Sequence, residues 1–317
     1  MKPLISISIP VFNEEANIPA LYQRLAAVAE RMKDRCDLEF VFSDNNSTDN
    51  TWMMLDALSV TDPRVRAIRF SKNFGFQRSI LANYIHTRGD AVMQIDADLQ
   101  DPPEMLEQFF DYWQAGYHVV FGIRAERQEG VLITRVRKWG YAAIDKLSEH
   151  PVSRNAGDFR LMDRKVVDAL QKYRSPDPYL RGIIAGMGFR QRGVAYARSA
   201  RVAGESKFGF MRVVSLGITG VLNHSTVPLR IATIAGLAIL FLSTVGAVYY
   251  ILMRMLHPEW PRGIASVLIL VLFGIGFQAL LLGILGEYLL RIYKLLRNEP
   301  VAIVEESLNF SPDELKL

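Results

Sequence analysis

Asp96, Asp98 and Gln100 follow an apolar run, residues 91–95, at a spacing of two. On extended backbone that spacing turns all three side chains to one face. Two carboxylates so close repel each other unless a cation sits beside them, and an all-oxygen set suits Mg2+ or Mn2+, which can then bind a diphosphate. A solvated acidic loop carries the same letters, so this short motif draws its weight from its surroundings. Asp44 follows a second apolar run and can accept a hydrogen bond from a base N–H, while Asn13 and Glu14 follow another and can hold ribose or base. Farther along, Arg198, Arg201 and Lys207 fall within ten residues. Guanidinium forks and an ammonium there suit phosphate oxygens in a fixed geometry, or anionic headgroups with no fixed geometry at all. Asp158 and Arg160 read either as a solvated pair or as part of a pocket. The five histidines share no ligand spacing and read as structural.

These residues must be held by something, and the pattern around them is an alternation of strands and helices. Residues 4–9 alternate apolar and Ser like a strand, 18–32 have helical spacing, and 38–43 form a second strand. A helix capped by Thr48 or Asp49 runs to about residue 58, followed by a strand at 65–70, a helix at 77–87, a strand at 91–95, a helix at 103–114 and a strand at 117–121. Repeated units of this kind predict an α/β, Rossmann-like domain with a mostly parallel sheet. In such sheets ligands lie outside the carboxyl ends of the strands, which is where Asn13-Glu14, Asp44 and Asp96-Asp98 fall. No G-x-G-x-x-G follows the first strand, so a dinucleotide site lacks its phosphate-binding turn. Beyond residue 122 the alternation weakens. A helix is expected at 131–147, an extended run at 157–162 entering a helix at Asp163, a strand at 188–196, a basic loop at 198–207, and an interfacial helix from 208.

Residues 231–253 and 264–286 contain no charged side chain. At about 1.5 Å per residue, 23 helical residues cover roughly 34 Å, against a hydrocarbon core of about 30 Å. The connection holds His257, Pro258, Trp260 and Pro261, a turn with an interfacial aromatic, so the expectation is a two-helix transmembrane hairpin. Arg212, Arg230, Arg291, Lys294 and Arg297 flank it, against Arg254 and Arg262 in the turn, which places the catalytic domain and both termini in the cytoplasm of a two-pass protein of the plasma (inner) membrane. The expected division is a catalytic domain over 1–207, an interfacial region over 208–229, the hairpin over 230–291 and a peripheral tail over 292–317. The N-terminal run lacks the basic start, apolar core and cleavage site of a signal peptide. One cysteine, Cys36, excludes an internal disulfide. A net charge of +4, much of it near the membrane end, points to anionic lipid or phosphate and not to nucleic acid.

Five strings occur in order: Ile9-Pro10-Val11-Phe12-Asn13-Glu14-Glu15, Asp44-Asn45-Asn46-Ser47-Thr48-Asp49, Asp96-Ala97-Asp98-Leu99-Gln100, Gly157-Asp158-Phe159-Arg160 and Gly204-Glu205-Ser206-Lys207. Through them the chain resembles the glycosyltransferase family 2 proteins that glycosylate polyprenyl phosphates, among them dolichol-phosphate mannose synthases and bacterial bactoprenol glucosyltransferases. The resemblance implies a GT-A fold. It implies a nucleotide sugar held by Pro10, Phe12, Asn13, Glu14, Asp44 and Asp96, with Mg2+ or Mn2+ on Asp98 helped by Asp96 and Gln100. It sets Asp158 and Arg160 on the acceptor side, and Arg198, Arg201, Ser206 and Lys207 at the lipid phosphate and donor diphosphate. Asp98, Asp158, Arg201 and Lys207 are then the candidate catalytic residues. One departure is visible: many relatives carry two acids at the second motif, where this chain has Asp44-Asn45-Asn46.

On this reading a metal-dependent enzyme transfers a hexose, with UDP-glucose favoured and GDP-mannose or a UDP-aminoarabinose derivative as alternatives, to undecaprenyl or another polyprenyl phosphate. A phosphomonoester is already ionised at neutral pH, so no strong base is required, and Asp158 positions rather than abstracts a proton. A processive polysaccharide synthase would carry Gln-x-x-Arg-Trp and more spans, neither of which is present. A non-catalytic membrane-tethered nucleotide-sugar binder would not need the acids at Asp96 and Asp98. A homo-oligomer, a flippase and a downstream glycosyltransferase are the protein partners this chemistry would call for.

Overall fold

The computed structural model describes residues 2–124, 156–173, 178–197, 227–256, 263–297 and 299–315. They fall into two compact units, residues 1–214 with 298–317, and residues 215–297. The first is built on one eight-stranded sheet in the order β7-β5-β6-β4-β1-β2-β3-β8. In chain order its elements are β1 (Leu4–Val11), α1 (Ile18–Met32), β2 (Asp37–Asp44), α2 (Thr51–Thr61), β3 (Val65–Phe70), α3 (Phe76–Ile85), β4 (Ala91–Gln94) and α4 (Leu106–Gln114, after a 3-10 turn at Pro103–Met105). There follow β5 (Val119–Arg124), β6 (Ala156–Asp163), α5 (Arg164–Leu170), α6 (Leu180–Gly186), β7 (Gln191–Tyr196) and β8 (Val304–Leu308).

The alternation in β1 explains its central place. Ile5, Ile7, Ile9 and Val11 enter a core with Leu21, Leu25 and Val28 of α1 and Phe109 of α4. Ser6 and Ser8 face the other way, where Ser6 donates to Glu39, Ser8 donates to Gln94 at 2.7 Å, and Asn83 of α3 donates to Ser8 at 3.0 Å. The strand is thus buried on both faces, with its buried hydroxyls hydrogen-bonded as burial demands. A second apolar cluster joins Ile80 and Tyr84 of α3 to Val166 of α5 and Ile184 of α6, giving helices on both faces of the sheet.

β4, β1, β2 and β3 are mutually parallel, as expected of repeated strand–helix units. Beyond β4 the direction reverses: β6 runs antiparallel to β4 and β5, while β7 is parallel to β5. The sheet is therefore mixed, and mostly parallel. The expected run at 157–162 entering a helix at Asp163 is present as β6 and α5, with the Asp163 carboxylate accepting from the Lys165 N–H at 3.0 Å.

The tail is not peripheral. Residues 304–308 form β8, antiparallel to β3, with Arg69 opposite Glu306 and Ala67 opposite Leu308. Beyond it Asn309, at φ 57°, donates its amide to Ser59 O at 2.9 Å and Val65 O at 2.8 Å. Arg66 of β3, 1% exposed, pairs with Glu39 at 3.1 Å and Glu314 at 2.6 Å, and its guanidinium lies 3.9 Å from the centre of the Phe310 ring. A fully buried cation requires these partners, and two of them arrive from the end of the chain.

In the second unit α7 (Val227–Leu256) and α8 (Ile264–Leu296) are both longer than the spans expected at 231–253 and 264–286. Leu281 of α8 lies 3.9 Å from where a Cβ on Gly236 of α7 would stand. Among the described residues one window, Phe273–Leu290, is long and apolar enough to cross a membrane, with a mean hydropathy of 1.6. The helix expected at 131–147, the basic loop at 198–207, the interfacial helix from 208 and most of the turn at 254–263 lie outside the described residues.

Candidate active site

Three loops at the carboxyl ends of β1, β2 and β4 each contain a residue in the left-handed region, Asn13 (φ 56°), Asn46 (φ 62°) and Leu99 (φ 60°). Asn adopts this conformation at small cost because its side chain can bond locally; for Leu the cost is about 1–2 kcal/mol. The reversal at Leu99 also corrects an expectation. The backbone of Asp96-Ala97-Asp98-Leu99-Gln100 does not continue extended; it turns at Ala97-Asp98 after β4 has ended at Gln94. Asp98 is 8% exposed, and its Oδ1 accepts the Gln100 N–H at 3.2 Å. Asp96 and Gln100 are partly exposed.

The first two loops are tied together. The Asn13 N–H donates to Ser47 Oγ at 2.9 Å and the Glu14 N–H to Thr51 Oγ1 at 2.9 Å, while Asn13 Oδ1 accepts the Thr48 N–H at 2.8 Å. Glu15 accepts the Asn50 N–H at 2.9 Å. Asn13 thus ties the first loop to the second with its carbonyl oxygen. Phe12, beside it, is 39% exposed, leaving an aromatic surface at the edge of the sheet, and Pro10 is buried within β1. Asp44 is 0% exposed. It accepts the Ser47 N–H at 3.1 Å and the Ser47 hydroxyl, and stands 3.5 Å from Arg69 Nε. Burial pushes its carboxyl above the ordinary Asp range, against the pull of Ser47 and Arg69. The carboxylate expected to meet a base is therefore also what folds the loop Asn45–Ser47.

On the other side of the site the antiparallel register does what sequence spacing cannot. Gln94, the last residue of β4, pairs with Arg160 of β6, so Asp158 lies on β6 at the edge where the chain leaves β4 toward Asp96. Asp158, 5% exposed, is gripped by both prongs of Arg181: Nε donates to Oδ1 at 3.0 Å and Nη2 to Oδ2 at 2.7 Å. Gln77 Nε2 donates to it at 3.3 Å, and Arg160 Nη2 lies 3.7 Å away. Burial would raise the Asp158 carboxyl, but the Arg181 guanidinium, with Arg160 and Gln77, holds it below the usual carboxylate range. It stays ionised. Arg160 Nη2 also donates to Gly157 O at 2.8 Å, and its buried Nε has no hydrogen-bond partner among the described residues, a donor suited to a ligand oxygen.

Arg181, Gln77, Asp101 and Tyr196 were not among the residues singled out from sequence. Arg181 stands in the first turn of α6 and Gln77 in that of α3; no spacing signal links either to Asp158, and only the fold brings them together. Asp101, directly after Gln100, is 1% exposed and accepts from the Tyr196 hydroxyl at the end of β7. Burial and then Asp101 hold that phenol well above its ordinary value, so it remains a donor. Arg124, at the end of β5, also bonds Tyr196, and a Cβ on Gly157 would come within 2.9 Å of Arg124 Nη2. Arg198, Arg201, Ser206 and Lys207 lie outside the described residues.

The profile of the family described as Glycosyl transferase family 2 matches residues 6–171. The chain belongs to glycosyltransferase family 2. It is 36% identical over 309 residues to a bactoprenol glucosyl transferase of Shigella phage SfII, covering 97% of this chain and 99% of that one. It is 35% identical over 302 residues to a prophage bactoprenol glucosyl transferase homolog of Escherichia coli, covering 95% and 98%. An uncharacterized glycosyltransferase of Bacillus subtilis, YkcC, is 35% identical over 306 residues, 95% of this chain and 93% of that one. Among solved structures a mannosyltransferase from Pyrobaculum calidifontis, in complex with GDP-Man and Mn2+, is 18% identical, with a TM-score of 0.49 over 70% of this chain and 64% of that one. The mixed, mostly parallel sheet is the GT-A fold of this glycosyltransferase.

Proposed function

We propose that this glycosyltransferase transfers glucose from UDP-glucose to a polyprenyl phosphate, undecaprenyl phosphate in a bacterium, at the cytoplasmic face of the membrane. The observation that carries the reading is an ionised Asp158, gripped by Arg181 with Arg160 beside it, on the strand that pairs with β4, whose carboxyl end leads into Asp96 and Asp98. Relatives named bactoprenol glucosyl transferases align over nearly their whole length, which supports the lipid acceptor.

In the proposed reaction a phosphate oxygen of the lipid, ionised at neutral pH, displaces the nucleoside diphosphate from the anomeric carbon in one in-line step that inverts that centre. The protein's part is alignment and charge stabilisation, since no proton need be removed. Phe12, Asn13, Glu14 and the Asp44 loop hold the nucleotide. Arg160, with its unpaired Nε, together with Arg198, Arg201, Ser206 and Lys207, meets phosphate oxygens. Asp158, held below the usual carboxylate range, is a weak base near pH 7, and its part in this reading is to fix Arg181 and Arg160.

Asp96, Asp98 and Gln100 offer hard oxygen donors that fit Mg2+ or Mn2+. Among the described residues no three His, Cys, Asp or Glu side chains converge on one point, so the donor diphosphate would complete the coordination. Such an ion would supply Lewis-acid stabilisation of the departing diphosphate.

Connectivity supports the two-pass reading: the described residues up to 197 and from 299 share one sheet, with β8 beside β3 and β1 two strands on, which fits both lying on the same side of a membrane. The chain between then crosses an even number of times, and two long helices, α7 and α8, accommodate two crossings.

The test is transfer of radiolabelled sugar into organic-extractable lipid by purified protein, with UDP-glucose, GDP-mannose and a UDP-aminoarabinose derivative as donors, with and without EDTA. Product from UDP-glucose, lost in EDTA, is expected. Product from another donor alone would overturn the sugar assignment, and turnover in excess EDTA the metal assignment.

A further inference from the structure

Strand β8 reaches the loop Asp44–Ser47 through one of its side chains, by way of Arg69. Glu306 of β8 lies opposite Arg69 of β3 in the antiparallel register, and its Oε1 stands 3.3 Å from Arg69 Nη1. Its other oxygen, Oε2, accepts the indole N–H of Trp52 at 3.0 Å. Arg69 passes this contact onward: Nη2 donates to Ser47 O at 3.2 Å and Nε lies 3.5 Å from Asp44 Oδ2. Its guanidinium carbon also sits 5.7 Å from the centre of the Trp52 ring. Four groups therefore fix one guanidinium: Glu306, the Trp52 ring, the Ser47 carbonyl and the buried Asp44.

We propose that Glu306 is a positioning residue for donor binding, acting through Arg69 on the loop Asp44–Ser47. The inference rests on the reading of that loop as the nucleotide site. Its chemical logic is directional. Arg is long and rich in rotamers, and without Glu306 its fork is drawn wholly toward Asp44, the nearest remaining carboxylate. Such a shift would take Nη2 from the Ser47 carbonyl and open the turn that also holds the Asn13 N–H on Ser47 Oγ. Both donor loops would loosen together. Because Glu306 is half exposed, the effect on affinity is modest: about three- to fivefold in Kd, in the range of a partly solvated ion pair acting on a pre-organised site. The consequence for the molecule is that a residue beyond both long helices supports a loop that follows β2.

The experiment measures UDP binding by calorimetry, and KM and kcat for UDP-glucose, on the full chain in detergent. Glu306→Ala is expected to raise the UDP Kd and donor KM about three- to fivefold with kcat at saturating donor within twofold of wild type, and Glu306→Asp to recover part of the loss. Glu314→Gln is the control, because it weakens the tail's hold on Arg66 without contacting the donor loop. It should lower the melting temperature and leave the UDP Kd within twofold. Equal losses of affinity in Glu306→Ala and Glu314→Gln, or a wild-type Kd and KM in Glu306→Ala, would overturn the proposal. Failure of the wild-type protein to bind UDP would instead overturn the nucleotide reading itself.

Discussion

At Asp158 two influences oppose, and the geometry decides between them. Burial favours the neutral acid, but a two-pronged Arg181 at 3.0 and 2.7 Å favours the anion, and the anion prevails. The folded-state value is depressed, so the stabilisation is present above the ordinary Asp value of about 3.9 and is lost as pH falls through the lower folded value. Asp158→Asn should therefore lower the melting temperature at pH 7, and the gap to wild type should narrow as pH is taken below about 4. A constant gap across that range, by scanning fluorimetry, would mean the charge contributes nothing. Asp98→Asn tests a different property: with a divalent ion at the diphosphate, losing one facing charge should cut transfer about 100-fold or more while melting stays near wild type. Activity within a few-fold, under confirmed metal dependence, would remove Asp98 from the essential set. Asp96, Asp98 and Asp158 were legible because acids and glycines cluster in short strings. Arg181 was not, because its tie to Asp158 spans 23 residues and depends on how α6 packs, which no local spacing encodes.

Among the elements, strands with strict alternation and helices with a regular apolar stripe could be read directly. β1 and α1 are examples, the latter burying Ile18, Leu21, Leu25, Val28 and Met32 on one face. β8 could not be read, since Val304-Glu305-Glu306-Ser307-Leu308 has two adjacent acids, a pattern shared with solvated loops. What makes it a strand is the open edge of β3 and a buried cation beneath it. Deleting residues 301–317 would leave Arg66 with Glu39 alone and strip its stacking on Phe310. Breaking a buried ion cluster in this way costs about 3 kcal/mol or more, roughly 6–12 °C in melting temperature for a domain of this size. A smaller lesion tests the other end of the sheet. Gly157→Ala brings a methyl to 2.9 Å from the tip of Arg124, a flexible group that can swing away. Stability should then change little, while activity falls several-fold as Arg124 leaves Tyr196 and the Asp101 pair. Wild-type activity in Gly157→Ala would show that Arg124 is not needed where it sits.

For the whole molecule, the unit of residues 215–297 interrupts the sequence of the sheet-bearing unit and is not an appendage after it. That changes how the protein can be divided. A fragment ending near Ser206 keeps the motifs of the donor site but loses β8, the partners of Arg66 and the Glu306 contact to Arg69. It should melt lower and bind UDP more weakly than the full chain. A protein in which residues 215–297 are replaced by a flexible Gly/Ser linker of about 20 residues restores the tail to β3, at a closure cost that grows only slowly with linker length. It should bind UDP with an affinity near that of the full chain. Neither should glycosylate long-chain polyprenyl phosphate efficiently, because the acceptor's tail stays in the bilayer, and anchoring the site at headgroup height is what raises the acceptor's effective concentration. Calorimetry with UDP and a detergent-based transfer assay on all three proteins decide the matter. Equal UDP binding by the Ser206 fragment and the linked protein would show that the tail strand is dispensable for the donor site. Full transfer to the long lipid by the linked protein would show that helices α7 and α8 have no part in delivering the acceptor.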